Sequence, residues 1–342
     1  MAKDDKVKDK QDKEDVGAGL DVGTMNFVAA RRNGGKSVKT TRLRNAFLDL
    51  PPEHKRMLKL SKTSYMEYDG RLLVIGDEAI TTANLFNKEA RRPMSAGMIS
   101  AGEIDAQGVM AVIVKHLLGE PRAKDEQCCF SVPAAPVDVQ DSDTTYHKAV
   151  LSKILVELGY RPQPVNEALA IIYSECVPEN FSGLAISYGS GMTNACLACN
   201  AMSALEFSLA RGGDWVDKGA ARAVGITSAK ICTIKESGVN IVAPKNREEE
   251  AVALYLQALI DYSIDNVIAH FSKVRKEILI PKAVPIIVSG GTSLPDGFIE
   301  KFRERFESFK GKFPIEISEI RAAKDPMTAV AAGLLLYAQM ED

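Results

Sequence analysis

The chain has little charge of one sign. Lysine and arginine number 43 against 45 acidic residues among 342, a formal net charge of −2. No excess is available to draw in nucleic acid or an anionic membrane surface. No apolar run is long enough to cross a bilayer, and no secretory leader pattern is present. Cysteine is sparse, with six residues at 128, 129, 176, 196, 199 and 232. Cys196 and Cys199 make a C-x-x-C, but no second pair or histidine accompanies them, so the pair reads as buried side chains of an apolar strand. These absences predict a cytoplasmic protein with reduced thiols, whose partner is a small ligand or another protein.

What is present begins with length, which exceeds one hydrophobic core of ordinary size and predicts two domains. Residues 2–15 alternate lysine with acid and hold one sizeable apolar residue, Val7. Such a stretch buries too little to offset its ordering entropy and is expected to be a disordered, solvated tail. Beyond it stand two glycine-bearing segments about 170 residues apart, Leu20-Asp21-Val22-Gly23-Thr24 and Ser187-Tyr188-Gly189-Ser190-Gly191-Met192-Thr193. Each joins two small apolar runs, 16–20 with 27–30 and 183–186 with 195–198, which is the pattern of a β-hairpin with a glycine-rich tip. Glycine there lets backbone N–H groups approach an anion without a Cβ in the way. Two such hairpins, one opening each half, predict a duplicated fold that grips a nucleotide between its halves.

Between the hairpins, 31–62 is basic and reads as irregular, followed by a tyrosine-bearing strand pair near 65–70 and 72–75. Helical periodicity covers 106–118, and 127–132 is a buried strand ended by Pro133. A helix is expected over 141–158, with Asp141 or Ser142 as its cap and Gly159 as its stop, and another over 165–176, carrying Glu167 near its start. In the second half, helices are expected from Gly213 to Val224, near 227–236, over 248–271, over 298–309 and over 326–340. An apolar strand, 284–288, feeds Gly290-Gly291-Thr292, placing backbone at a sheet's carboxyl edge, where open α/β folds hold ligands. The class is α/β.

Five segments in order resemble the ATPase superfamily of actin, heat-shock chaperones and sugar kinases. GLDVGT (19–24) is similar to its first phosphate loop, SYGSGMT (187–193) to its second and IIVSGGTSLP (286–295) to its adenosine loop. Val165-Asn166-Glu167-Ala168 and Asp325 to Gly333 are similar to its two connecting segments. RPMSAGMI (92–99), and the end of the chain soon after the second connecting helix, resemble the bacterial actin branch of filament formers, the MreB and MamK proteins. The resemblance implies an actin-like fold of two duplicated ribonuclease-H-like lobes around a nucleotide cleft. Lobe I would span 16–180, with a small subdomain near 33–97, and be completed by 320–342. Lobe II would span 181–319, with a reduced small subdomain near 214–250.

The same resemblance assigns roles. ATP or ADP would be held by Gly23, Thr24, Met25 and Asn26 in the first loop and by Gly189, Ser190, Gly191 and Met192 in the second. Gly290, Gly291 and Thr292 would face the adenosine, Gly213 and Asp214 the ribose, and Lys235 the purine. Asp21 would serve Mg2+, and Glu167, with Thr193 and Ser187, would serve hydrolysis by orienting water. Ser187 stands where the family places aspartate. A hydroxyl adds no negative charge, so hydrolysis is expected to be slow while nucleotide binding survives. The implied function is a head-to-tail homopolymer, a nucleotide-dependent filament. A nucleotide switch that does not polymerise is the alternative, and a sugar kinase lacks a visible acceptor base.

Overall fold

The structure, a computed structural model, describes residues 16–34, 37–140, 142–274 and 282–340. The expected tail and the candidate cap Asp141 lie outside them. The first half runs β1 (Ala18–Val22), β2 (Asn26–Arg32), β3 (Val38–Arg44), β4 (Phe47–Leu50), α1 (Lys55–Leu60), β5 (Met66–Tyr68), β6 (Arg71–Ile75) and α2 (Asp77–Leu85). It continues with β7 (Met94–Ser95), β8 (Met98–Ile99), α3 (Ala106–Leu118), β9 (Gln127–Val132), α4 (Thr145–Glu157), β10 (Arg161–Asn166) and α5 (Glu167–Glu175). The second half holds β11 (Gly183–Tyr188), β12 (Thr193–Cys199), β13 (Met202–Leu209), α6 (Gly213–Val224), α7 (Ser228–Glu236) and α8 (Arg247–Val274). It closes with β14 (Val284–Ser289), α9 (Phe298–Phe309), β15 (Ile317–Ala322) and α10 (Ala329–Met340).

Two five-stranded sheets share one plan. The first is ordered β10-β9-β1-β2-β3 and the second, read in the matching direction, β15-β14-β11-β12-β13. In each, the hairpin strands pair antiparallel and the first of them pairs parallel with a later strand. The parallel partners β9 and β14 are buried along their whole length, as strands covered on both faces must be. The duplication expected from the two glycine segments is therefore a duplication of sheet topology.

Helices α5 and α10 lie between the sheets and join them through small side chains. Gly333 comes so close to α5 that a Cβ there would lie 1.7 Å from the Ala170 carbonyl oxygen. Each lobe has its own core on the outer side of its sheet. In lobe II, Phe298, Phe302 and Phe306 recur every four residues along α9 and all point inward. In lobe I, Phe27, Phe130, Met110 and Leu151 are among the buried residues. Glu126, 1% exposed, anchors this lobe by accepting from Arg31 Nη1 at 2.8 Å, Gly17 N at 3.0 Å and Arg122 N at 2.6 Å.

Several boundaries differ from expectation. The basic stretch 31–62 is ordered: β3 is the edge of the main sheet and β4 opens a separate three-stranded sheet, β4-β6-β5. Exposed, polar β3 lacks the apolar alternation that marks a strand, because it is held by its ladder to β2. The helix expected from 141 starts at Thr145, and neither Ser142 nor its N-cap Thr144 makes a side-chain cap. The stretch 161–166, with prolines at 162 and 164, is the edge strand β10, where missing N–H donors are tolerated. Helix α5 begins after it, at Glu167. Cys196 is buried and Cys199 half-buried, and both are free thiols.

Candidate functional site

Three hairpin tips converge between the lobes. The β1–β2 turn is closed by Gly23 N donating to Asn26 O at 3.1 Å, and the β11–β12 turn by Gly189 N donating to Met192 O at 2.9 Å. A Cβ on Gly191 would lie 2.4 Å from Thr24 Oγ1, so the tips of the two duplicated hairpins face each other. The third tip, Ala96-Gly97 of the β7–β8 hairpin, lies against both. Gly97 N donates to Thr24 Oγ1 at 2.9 Å, and a Cβ on Gly97 would be 2.5 Å from Met192 Sδ. With φ of 50° and 76°, Ala96 and Gly97 adopt the left-handed turn that a tight two-residue hairpin needs.

The tips border a cavity of about 430 Å³, within the roughly 300–1,000 Å³ usual for small-ligand sites. Of the residues singled out from sequence, Asp21, Gly23, Thr24, Met25, Asn26, Glu167, Ser187, Gly189, Ser190, Gly191, Met192, Lys235, Gly290, Gly291 and Thr292 line it. Thr193, Gly213 and Asp214 do not. Thr193 is 1% exposed and its hydroxyl donates to the Arg211 carbonyl at 2.7 Å. Gly213 N and Asp214 N donate to the carbonyls of Gly189 and Ser190 at 2.9 and 2.8 Å. The first N–H groups of α6 thus brace the second loop instead of facing the cavity, and the Asp214 carboxylate accepts from Ser190 Oγ at 2.7 Å. Lys235 reaches the cavity, but its ammonium is 2.7 Å from Asp217 in a nearly buried ion pair.

Of the five carboxylates that line the cavity, Asp21, Asp77, Glu167, Glu236 and Asp296, two adjoin the strands that carry the glycine tips, Asp21 and Glu167. Asp21 is the last residue but one of β1, and Ser131 Oγ donates to its Oδ1 at 2.9 Å. Glu167 opens α5, whose first turn is capped by Asn166, Oδ1 accepting from Ala168 N and Leu169 N. Ser187 Oγ donates to Glu167 Oε1 at 2.6 Å and Asn194 Nδ2 donates to Oε2 at 2.8 Å. Burial pushes both carboxyls up, Asp21 to about 6 and Glu167 to about 8, and for Glu167 the nearby Asp21 charge adds to the rise. Their serine hydrogen bonds pull the other way.

Sequence reasoning passed over the residues that hold these groups. Ser131 is the lone hydroxyl in β9 and Asn194 the lone amide in β12. A buried polar side chain in such a run must have a partner, which is the one signal that marks them. Asn45 carries no motif. It is fully buried, and its Nδ2 donates to the carbonyl of Gly23 at 3.0 Å, fastening the first loop from behind.

A pair of like sheets whose glycine hairpins meet over a shared cavity, with two connecting helices between them, is the actin-like ATPase fold. The chain belongs to the volactin family, whose profile matches residues 16–338. Curated proteins offer no match. Among solved structures, the MamK double helical filament is 20% identical with a TM-score of 0.70, the alignment covering 95% of this chain and 98% of that one. MreB5 of Spiroplasma citri bound to ADP is 15% identical with a TM-score of 0.66, covering 96% and 98%. The ethanolamine utilization protein EutJ from Carboxydothermus hydrogenoformans is 16% identical with a TM-score of 0.55, covering 94% and 89%. At these identities the likeness is one of fold.

Proposed function

We propose that the protein binds ATP and ADP between its lobes and assembles head-to-tail with copies of itself into cytoplasmic filaments whose growth depends on bound nucleotide. The observation that carries this reading is the meeting of two glycine tips, from separate sheets, over a cavity that Asp21 and Glu167 line beside them. Backbone N–H groups at such tips suit phosphate oxygens. Mg2+ commonly takes one or two carboxylates together with nucleotide phosphates, and Asp21 fits that role: its carboxyl is raised by burial, a strain that a cation relieves. The bound ion would neutralise phosphate charge. Glu167 would orient water, held for that purpose by Ser187 and Asn194. Ser187 brings no charge of its own, so turnover is slow.

The likeness to the MamK double helical filament supports assembly. Head-to-tail contacts are heterologous and do not close, and a ligand that favours the closed lobes favours the end surfaces that form with them. Ser187 also supports the second reading, a nucleotide switch without polymer, because a switch needs binding more than turnover. Sedimentation with and without ATP and Mg2+ separates the two. A pellet that requires ATP is expected, whereas nucleotide binding without a pellet across a wide concentration range ends the filament reading. Glu167→Ala should abolish residual hydrolysis and leave ATP affinity within about a few-fold, as a residue acting only on the attacking water requires; unchanged turnover removes Glu167 from its role.

A further inference from the structure

One bidentate ion pair ties the lobes together across the cavity. Arg44 ends β3 of the first lobe and Glu236 ends α7 of the second, 192 residues apart. Arg44 Nη1 donates to Glu236 Oε1 at 2.9 Å and Nη2 to Oε2 at 2.8 Å, while Nε donates to Asp77 Oδ1 at 3.2 Å. Paired parallel bonds of this kind fix direction as well as distance, which a point charge does not. Arg44, Asp77 and Glu236 line the same cavity as Asp21 and Glu167. The Glu236 and Asp77 side chains are 45% and 79% exposed, whereas Ser187 is 1% exposed. The pair therefore stands at the solvent end of the cavity and the hairpin tips at its floor.

The other ties between the lobes lie elsewhere. Val137 N donates to the Ser208 carbonyl at 2.9 Å, and the Asp138 carboxylate accepts from Ala210 N at 2.8 Å and from the Tyr262 hydroxyl at 2.9 Å, away from the cavity lining. The bonds from Ser187 and Asn194 to Glu167 lie at the buried end. Arg92 meets Asp214 only at 3.4 Å. The Arg44–Glu236 pair is thus the short, two-pronged contact that a parting of the lobes at the solvent end has to break.

We propose that the Arg44–Glu236 pair is a latch that sets how fast nucleotide leaves the cleft. The inference rests on the nucleotide reading of the cavity. With the pair formed, β3 and α7 are held together at the solvent end; with it broken, the lobes can part there without disturbing the floor. Because the pair is partly exposed, salt weakens it, and release quickens with ionic strength.

The test is stopped-flow release of a fluorescent ATP analogue, with Mg2+, from the full chain and from Arg44→Gln, Glu236→Gln and the double variant. Each single variant should release about tenfold faster, equivalent to about 1.4 kcal/mol. The double variant should release no faster than the singles, because both changes break one contact. Glu236→Gln is the decisive arm: it removes the pair while leaving Arg44 able to touch the ligand. A wild-type release rate in Glu236→Gln, or singles whose effects multiply in the double variant, overturns the latch while the nucleotide reading stands. A wild-type chain that takes up no analogue removes both. Unchanged circular dichroism of the variants guards against unfolding as the cause.

Discussion

The hydroxyl of Ser187 donates a 2.6 Å hydrogen bond to Glu167 Oε1. Ser187 therefore holds the adjacent carboxylate in place. An aspartate at 187 would set a third carboxylate against Glu167 and Asp21, in a region where burial already disfavours charge.

Ser187→Asp should accordingly act in two directions. Without metal and nucleotide, the extra like charge should lower stability by about 1–3 kcal/mol, read as an earlier melting transition. With Mg2+ and ATP the transition should recover, and phosphate release should rise at least about tenfold, the scale of one well-placed electrostatic contact. A variant that melts like wild type without ligand would mean the three groups do not share one environment.

Glu167 and His147 give the nucleotide-free protein opposite pH limbs. The Glu167 carboxyl ionises near 4.5 when unfolded and is pushed up to about 8 by burial and Asp21 when folded. Its folded form holds the proton longer, so its contribution to stability is lost as pH rises from about 4.5 toward 8. His147 is 2% exposed, and neither ring nitrogen has a hydrogen-bond partner among the described residues. Burial pushes it down from 6.5 to about 4, so stability is lost as pH falls through that interval, where only the unfolded chain takes a proton. Urea unfolding across pH should show Glu167→Gln flattening the alkaline limb and His147→Leu the acid limb.

Glu126→Ala should cost about 3–5 kcal/mol, the usual scale for removing one partner of a buried ion pair. The change leaves the Arg31 guanidinium and two backbone N–H groups, of Gly17 and Arg122, without their acceptor. Denaturant unfolding followed by a probe in lobe I measures it. A loss below about 1 kcal/mol, the range of exposed pairs, would contradict the burial of Glu126.

Gly97→Ala should weaken nucleotide binding about tenfold or more, about 1.4 kcal/mol, with the fold retained. Its backbone lies at φ 76° and its missing Cβ faces Met192 Sδ at 2.5 Å. The added methyl pushes the third hairpin away from the second loop. Isothermal titration calorimetry with ATP gives the affinity, and an unchanged constant would show that this tip does not steady the loops.

How much of this was legible from residues alone differs between the hairpins and their supports. The two glycine tips were readable because a hairpin is local: its turn, its glycines and its flanking apolar runs lie within about a dozen residues. Helix α3 and strand β9 carry periodicity of their own and fall where expected. β3 was missed because its side chains are mostly exposed and only pairing with β2 makes it a strand. Thr193 was assigned to the cleft by its motif, but its hydroxyl turns inward to Arg211.

By itself, then, the amino-acid sequence determined the duplicated plan, the placement of glycine at both tips and the choice of serine at 187, since each is a property of a short segment. Tertiary structure alone decided that the tips meet, that Ser131, Asn45 and Asn194 stand behind them, and that Arg44 reaches Glu236. Those contacts join segments 20 to 192 residues apart, and a contact between distant segments exists only once both sheets have folded and packed around α5 and α10.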